Sequence, residues 1–391
     1  MARTFTACGI MSGTSRDGID IALVRIDGKF PKNRVELVHP ESFDYPSRVR
    51  DLLMTPPEKL TAEQVVGLDF RLGKIFGESA ARAIENAGLA PDKVEAIGSH
   101  GQTLLHFPQG RDLAGETVSS TLQVGSGAVI AQTTGITTVS DFRSSDIAVG
   151  GEGAPLVPVF DYVVLRSSKH SRIALNIGGI ANLTAIPKKA DIDDLVAFDT
   201  GPGNCMIDTA VRLKTGGETR FDKDGALARL GDIDDVCVRE VTSHPYFSRK
   251  PPKTTGWEEF GEAYTQKIVD SMSGRGKSVK DMIRTLTEVT SKTIVDAIEN
   301  FVRPEMEIDE VIVTGGGSHN SMLMGSLRRR LPDTVIDVGE AYGLSSDFKE
   351  ACAFAYLAYL CLNDIPANVV SQAAGLDPAI LGAIYPGARH A

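Results

Sequence analysis

Apolar positions fall in short runs near the start of the chain, then spread to helical spacing. Phe5–Met11 and Ile19–Ile26 read as buried strands and Val35–Phe43 as a third, with the polar turn SGTSRDG between the first two. From Thr61 to Asn86, Ala, Leu, Ile and Phe recur at intervals of three and four, which predicts a long amphipathic helix. Thr61 with Gln64 forms a capping-box pattern at its start, and Gly88 is a fitting stop. A short apolar strand, Val94–Gly98, follows and leads into GSHGQT.

A similar sequence of elements returns later. Arg172–Ile177 and Leu183–Ile186 flank the glycine turn of NIGGIAN, and Leu195–Phe198 leads into DTGPGN. A helical run spans Ser278–Phe301. The buried strand Glu310–Thr314 then delivers GGGSHN ahead of a helix over Ser321–Leu331. Each half thus holds a glycine-containing hairpin, a further strand, a long helix, and a strand ending in Gly, Ser and His. Two like α/β domains, 1–140 and 141–391, are expected, with an irregular insertion around 216–256 and ligands held between paired hairpin turns. A single doubly wound sheet would give similar local signals. Within the insertion, Pro251–Pro252 excludes a helix interior. A span this long without regular structure is either functional or a surface insertion that only packs.

Composition narrows the classes. The 391 residues are 42% hydrophobic and 24% charged, enough for substantial folded cores. A net charge of −10 argues against general nucleic-acid binding, while leaving room for local anion binding by backbone N–H groups. Five scattered cysteines form no CxxC pair, so a reducing compartment is expected rather than a disulfide framework or a zinc site. No apolar run reaches the length of a membrane span, and the start of the chain lacks a signal-peptide core; a cytoplasmic protein without membrane partners is expected.

The motifs point to phosphate chemistry. SGTSRDG offers the flexible Gly13 and Gly18, close backbone N–H groups, and hydroxyls that include Thr14 and Ser15. Such a turn makes an anion nest, in which Asp17 suits Mg²⁺ or its water shell; the other reading is a tight turn bonded to itself. Asn176, Gly178 and Gly179 form the counterpart hairpin. Gly315, Gly316 and Gly317 permit close approach of a flat ring or a phosphate, or simply turn the chain from strand to helix. Asp199, at a strand end among glycines, is placed as a general base, a metal ligand or a turn cap, and Asn204 as the N-cap of the next helix. His100 and Gln102 are sugar-bonding candidates, although His100 also fits a satisfied structural histidine. Asp141, Arg143, Asp146 and Glu152 line a segment suited to a sugar or a cleft, unless Arg143 pairs with Asp146 structurally. Walker A, GxGxxG, HExxH and GxSxG patterns are all absent. Two phosphate-grasping hairpins, a Mg²⁺-compatible aspartate and a separate base are the parts that phosphoryl transfer to a small molecule requires.

At these residues the sequence resembles the anhydro-N-acetylmuramic acid kinase family. The stretches that carry the resemblance are GIMSGTSRDGID, GSHGQT, TGITTVSDFR with GGEGAPLVP, LNIGGIANLT, FDTGPGN, PYF with PPKTTGWEEF, and VTGGGSHN, in order from about residue 9 to about 320. The resemblance implies the sugar kinase, Hsp70 and actin superfamily, with two related actin-like, ribonuclease H-like domains around a nucleotide-binding cleft. It further implies ATP and Mg²⁺ as cofactors, a homodimer, and opening of a 1,6-anhydro sugar coupled to phosphorylation of O6. Asp199 then corresponds to the base, Gly13 to Asp20 to the ATP-binding segment, Gly178 and Gly179 to the second phosphate hairpin, and Gly315 to Gly317 to the adenosine side. Three residues depart from the family pattern: Arg16 in place of leucine, Glu152 in place of glutamine and Trp257 in place of arginine. Glu152 adds a negative charge and Trp257 removes a positive one, which disfavours a substrate bearing a lactyl carboxylate. The related levoglucosan kinases act on an anhydro sugar without that group, using the same base and hairpins.

Overall fold

The computed structural model describes residues 4–13, 18–370 and 374–388. The chain forms two compact units, Met1–Val164 together with Phe348–Ala391, and Leu165–Asp347.

The first unit contains β1 (Phe5–Met11), β2 (Gly18–Asp27), β3 (Arg34–Asp44), β4 (Ala96–Ser99), β5 (Gln102–Leu113), β6 (Glu116–Val124) and β7 (Thr138–Ser140). The second contains β8 (Arg172–Ile177), β9 (Ile180–Ile186), β10 (Val196–Pro202), β11 (Glu310–Thr314) and β12 (Val335–Val338), and β13 (Ala383–Tyr385) returns to the first. The sheet of the first unit has the order β13-β7-β4-β1-β2-β3, and that of the second β10-β9-β8-β11-β12. The two orders superimpose. β1 and β8 each pair antiparallel with the next strand and parallel with β4 and β11 respectively. β4–β7 and β11–β12 continue in parallel. The repeat expected from the hydrophobic pattern is therefore present as one topology used twice.

Parallel pairing requires a long crossover, and the two long helices supply it. Helix Ala62–Asn86 lies between β3 and β4 in the chain and buries Leu68, Leu72, Phe76 and Ile84 in a core with Ile10, Ile19, Ile21 and Leu23. Its predicted capping box forms: Thr61 Oγ1 accepts from the Gln64 N–H at 3.2 Å, and Gln64 Oε1 accepts from the Thr61 N–H at 2.9 Å. Helix Val279–Phe301 precedes β11 and packs Ile294 and Ile298 against Ile173, Leu175, Val311 and Val313.

The structure departs from the sequence reading in three places. The domain division at residue 140 is not where the compact units separate, because the C-terminal helix Lys349–Leu362 belongs to the first unit, where it packs on β1, β2 and β4. Gly9 and Gly98 make this possible. They are partners across β1–β4, and a Cβ on either would collide with a carbonyl group of that helix, at Ala351 and Phe354. Second, β5 and β6 form a separate two-stranded hairpin in a stretch to which the sequence reading assigns no strand. Third, Asn204 begins helix Cys205–Lys214 without capping it by its side chain; the Nδ2 donates instead to the Ile177 carbonyl at 3.2 Å.

The 216–256 segment holds short turns and one helix, Asp235–Thr242. It is not a loose appendage: Cys237, Val241 and Tyr246 are buried in one core with Phe260, Ile283 and Leu286. Among the described residues no helix is long and apolar enough to cross a membrane.

Candidate active site

In the second unit the fold draws three separate motifs to one end of the sheet. The β8–β9 hairpin turns at Gly178 and Gly179. Their carbonyls accept from the N–H groups that follow β10: Gly203 and Cys205 donate to Gly179 at 2.9 and 3.0 Å, and Asn204 donates to Gly178 at 2.8 Å. The Gly203 carbonyl in turn accepts from Thr290 Oγ1 at 2.8 Å. The glycines after β11 close on the same hairpin. Gly315 lies against Asn176 and the Ile177 backbone with φ +79°, and Gly317 against the Ile177 side chain. These two positions are filled by protein, so a side chain would break the junction. Gly178 and Gly316 differ: a Cβ there would meet only Ile180 O at 3.6 Å and Asn204 Nδ2 at 3.8 Å. They present bare backbone on a braced turn, the kind of surface that a phosphate chain or a flat ring approaches closely.

Asp199 sits where β10 is irregular. It pairs with Asn182, and the next pairing, Gly201 with Ala181, leaves Thr200 as an extra residue in a bulge. A bulge re-aims a side chain, and here three bonds fix the result. The Asp199 N–H donates to the Lys253 carbonyl at 3.0 Å, its own carbonyl accepts from Tyr246 Oη at 2.6 Å, and its Oδ2 accepts from the Thr255 N–H at 3.0 Å. All three partners come from the segment 246–255. Thr255 Oγ1 also donates to Glu259 at 2.7 Å, which ties the segment to helix Trp257–Phe260. Gly201, with φ +138°, has no room for a Cβ against the Phe247 ring.

In the first unit, Ser12 is buried between Tyr45 Oη at 2.6 Å and Gln102 Oε1 at 2.7 Å, to which it donates. This places Gln102 at the end of β1, against Ser12. Thr14, Ser15 and Asp17 lie outside the described residues, and so does Arg16. Asp20 accepts from Ser42 Oγ at 2.6 Å. His100 is buried and engaged on both ring nitrogens. Arg143 donates to Nε2 at 2.9 and 3.2 Å, so Nδ1 carries the proton and donates to the Gly101 carbonyl at 3.0 Å. Burial first, and the Arg143 charge second, press the imidazole down to a pKa of about 3. His100 is thus neutral near pH 7 and serves as an acceptor that orients Arg143. The same guanidinium donates to the Gly153 carbonyl at 2.7 Å, and Asp146 accepts from the Gly153 N–H at 2.7 Å. Asp146 is buried and shapes the GGEGAP turn. Asp141, by contrast, is exposed and accepts from Ser144, and Glu152 accepts from Gln109 at 3.2 Å.

The model of the anhydro-N-acetylmuramic acid kinase family matches residues 6–387, nearly the whole chain. The chain belongs to this family. Proteins of that name are similar along their whole length: 41% identity in Caldanaerobacter subterraneus subsp. tengcongensis, covering 96% of both chains, and 39% in Salinibacter ruber, covering 97% of this chain and 96% of the relative. A Bacillus cereus relative is 39% identical over 96% of this chain and 98% of its own. Among solved structures, an activator of 2-hydroxyisocaproyl-CoA dehydratase from Clostridium difficile aligns over 92% of this chain and 96% of its own, at 10% identity and a TM-score of 0.47. Family membership and the topology used twice give a sugar-kinase, actin-like α/β fold.

Some of the residues around Asp199 escape a reading of the sequence. Tyr246, Lys253 and Thr255 stand 47 to 56 positions away, in an irregular segment whose PYF and PPKTTGWEEF stretches carry the family resemblance but give these residues no role. Ser12 is missed for a similar reason, since its burial depends on Tyr45 and Gln102 from distant strands.

Proposed function

We propose that this protein is an ATP-dependent kinase that opens 1,6-anhydro-N-acetylmuramic acid with water and phosphorylates O6, yielding N-acetylmuramic acid 6-phosphate. The observation that carries the reading is Asp199: a carboxylate on a bulge at a strand end, braced through its N–H, its C=O and one carboxylate oxygen, in a chain matched to the family from 6 to 387. In this reading Asp199 takes a proton from water as the oxygen bonds to C1. The C1–O6 bond breaks, and O6 bonds to the γ-phosphorus as ADP leaves. The Thr255 N–H holds Oδ2, so the base is oriented before substrate arrives.

Gly13 to Asp20 and the Gly178–Gly179 turn hold the phosphates, and Gly315 to Gly317 the adenosine side. Gln102, Asp141, Arg143 and Glu152 serve the sugar, with His100 and Asp146 behind them fixing Arg143 and the GGEGAP turn. Bare backbone at Gly178 and Gly316 fits a nucleotide, which needs close approach rather than side chains. Among the described residues no group of three or more His, Cys, Asp or Glu side chains is arranged around a metal position. Mg²⁺ brought in by ATP keeps several waters and takes one or two carboxylates, so it needs no such group; in this reading Asp17, with Asp20 nearby in sequence, would hold it. Mg²⁺ would supply neutralisation of the charge that builds on the transferred phosphoryl group. The protein is read as a cytoplasmic homodimer with no nucleic-acid partner.

Glu152 and Trp257 favour a second reading, in which levoglucosan is the substrate. An ATP-dependent assay with both anhydro sugars, read by mass spectrometry, decides between them. A product that gains phosphate and water from the muramic substrate is expected. Turnover of levoglucosan alone would transfer the same machinery to a sugar without the lactyl group, and turnover of neither would remove the kinase reading.

A further inference from the structure

Lys253 has no part in the reading above, yet it is 1% exposed. A buried ammonium is unfavourable unless its donors and its charge are met. Here Nζ donates to the carbonyls of Tyr246 and Phe247 at 3.4 and 3.5 Å. It also lies 4.7 Å from the Tyr246 ring centre, 4.7 Å from that of Phe301 and 5.8 Å from that of Phe198. The cage has meaning because of what its walls hold. Phe198 is the residue before Asp199. Tyr246 donates to the Asp199 carbonyl, and the Lys253 carbonyl accepts from the Asp199 N–H. One ammonium therefore joins β10 and helix Val279–Phe301 to the segment that carries all three braces of Asp199.

We propose that Lys253 is a positioning residue for the reaction: its caged ammonium locks the 246–255 segment onto β10 and holds the Asp199 carboxylate aimed and ionised. The proposal rests on Asp199 being the base. Electrostatics agree with it. Burial, then the Arg249 charge, lower the Lys253 pKa to about 8, while Asp199 on β10 and Glu259 on helix Trp257–Phe260 pull it up. Tyr246 and Lys250 are further titratable groups on the segment, and His244, just before it, lies 3.7 Å from Glu259. Near pH 7 the ammonium is charged, and the attraction between Lys253 and Asp199 favours the ionised form of both.

The test is the pH profile of kcat/KM for the purified kinase and its variants Lys253→Met and Lys253→Arg, with Asp199→Asn as the reference. Methionine keeps the length and apolar contacts of lysine and removes the charge. The expected result for K253M is a kcat at least tenfold lower, a KM for ATP within about twofold of wild type, and an acid limb displaced upward by about one pH unit. K253R keeps the charge, so its acid limb should stay at the wild-type position even where its kcat is reduced. A folded K253M with wild-type kcat and acid limb overturns the proposal, as does an acid limb displaced equally in both variants. Should K253M not fold, Tyr246→Phe decides: a lower kcat with unchanged KM for ATP supports the locked segment, and a wild-type kcat refutes it. The Asp199→Asn arm separates the two claims. Near-normal turnover there removes the base, whereas a dead D199N beside an unaltered K253M removes only the role of the lysine.

Discussion

At the scale of single residues, the site is governed by what each charge can reach. Asp199 is held through its own backbone as well as its carboxylate, so Asp199→Asn should preserve the bulge and lose the base. We expect turnover to fall by about 10²–10⁴-fold, with the ATP dissociation constant measured by calorimetry changed less than about threefold. Comparable losses of affinity and turnover would instead indicate a collapsed site. His100 gives a pH prediction whose sign follows from its depressed pKa. The unfolded chain takes up a proton near the ordinary histidine value of 6.5, and the folded protein only near 3. Stability from this residue is intact above pH 6.5 and is lost progressively as the pH falls from 6.5 toward 3. Between pH 7 and 4.5 the loss amounts to about 2–3 kcal/mol. His106, lowered to about 4 by burial and then by Arg143, adds to the same trend. Urea unfolding at the two pH values should show a smaller drop for His100→Gln than for wild type, and an equal drop would mean that His100 does not govern acid sensitivity.

At the scale of elements, local signals and close approach divide the work. The capping box of helix Ala62–Asn86 is an entirely local device, and Thr61→Ala should destabilise by about 1 kcal/mol, read as a lower urea midpoint with unchanged slope. The glycines of β1 and β4 act through a distant helix. Gly98→Val would drive side-chain atoms into the Phe354 carbonyl and push helix Lys349–Leu362 off the sheet. We expect at least ~3 kcal/mol of destabilisation, at the upper end of overpacking effects, and soluble yield with a thermal melt measures it. A nearly unchanged melting temperature would show that the helix can move at little expense.

At the scale of the whole molecule, the two units differ in how the chain builds them. Leu165–Asp347 is one continuous segment with its own sheet and cores, whereas the first unit needs both Met1–Val164 and Phe348–Ala391. Expressed alone, 165–347 should give dispersed amide resonances and a cooperative melt. The fragment 1–164 should not, because β1 and β4 would lose the helix that covers them; adding 348–391 in trans or by permutation should restore folding. A cooperative 1–164 fragment would contradict this account.

Much of the architecture was legible along the chain. The periods of 2 and 3.6 marked the main strands and both long helices, and the order of those elements carried the repeated topology, because each depends on neighbours a few positions apart. The glycine turns and Asp199 stood out for the same reason, as runs of small residues at strand ends. The β5–β6 hairpin did not, since its apolar residues, such as Leu105, Val118 and Leu122, are few, half-exposed and set among polar ones. Nor did the place of the C-terminal helix: its apolar run announces burial but not the sheet that buries it.

What the sequence by itself determined is therefore the main strands and both long helices, their repeated order, the family, and Asp199 as candidate base. The tertiary structure alone decided that His100 is an acceptor for Arg143, that two glycines of the GGG turn are packed while Gly316 is open, and that Tyr246, Lys253 and Thr255 surround Asp199. Those facts rest on contacts between residues tens of positions apart, and only the closed fold brings such residues within hydrogen-bonding distance.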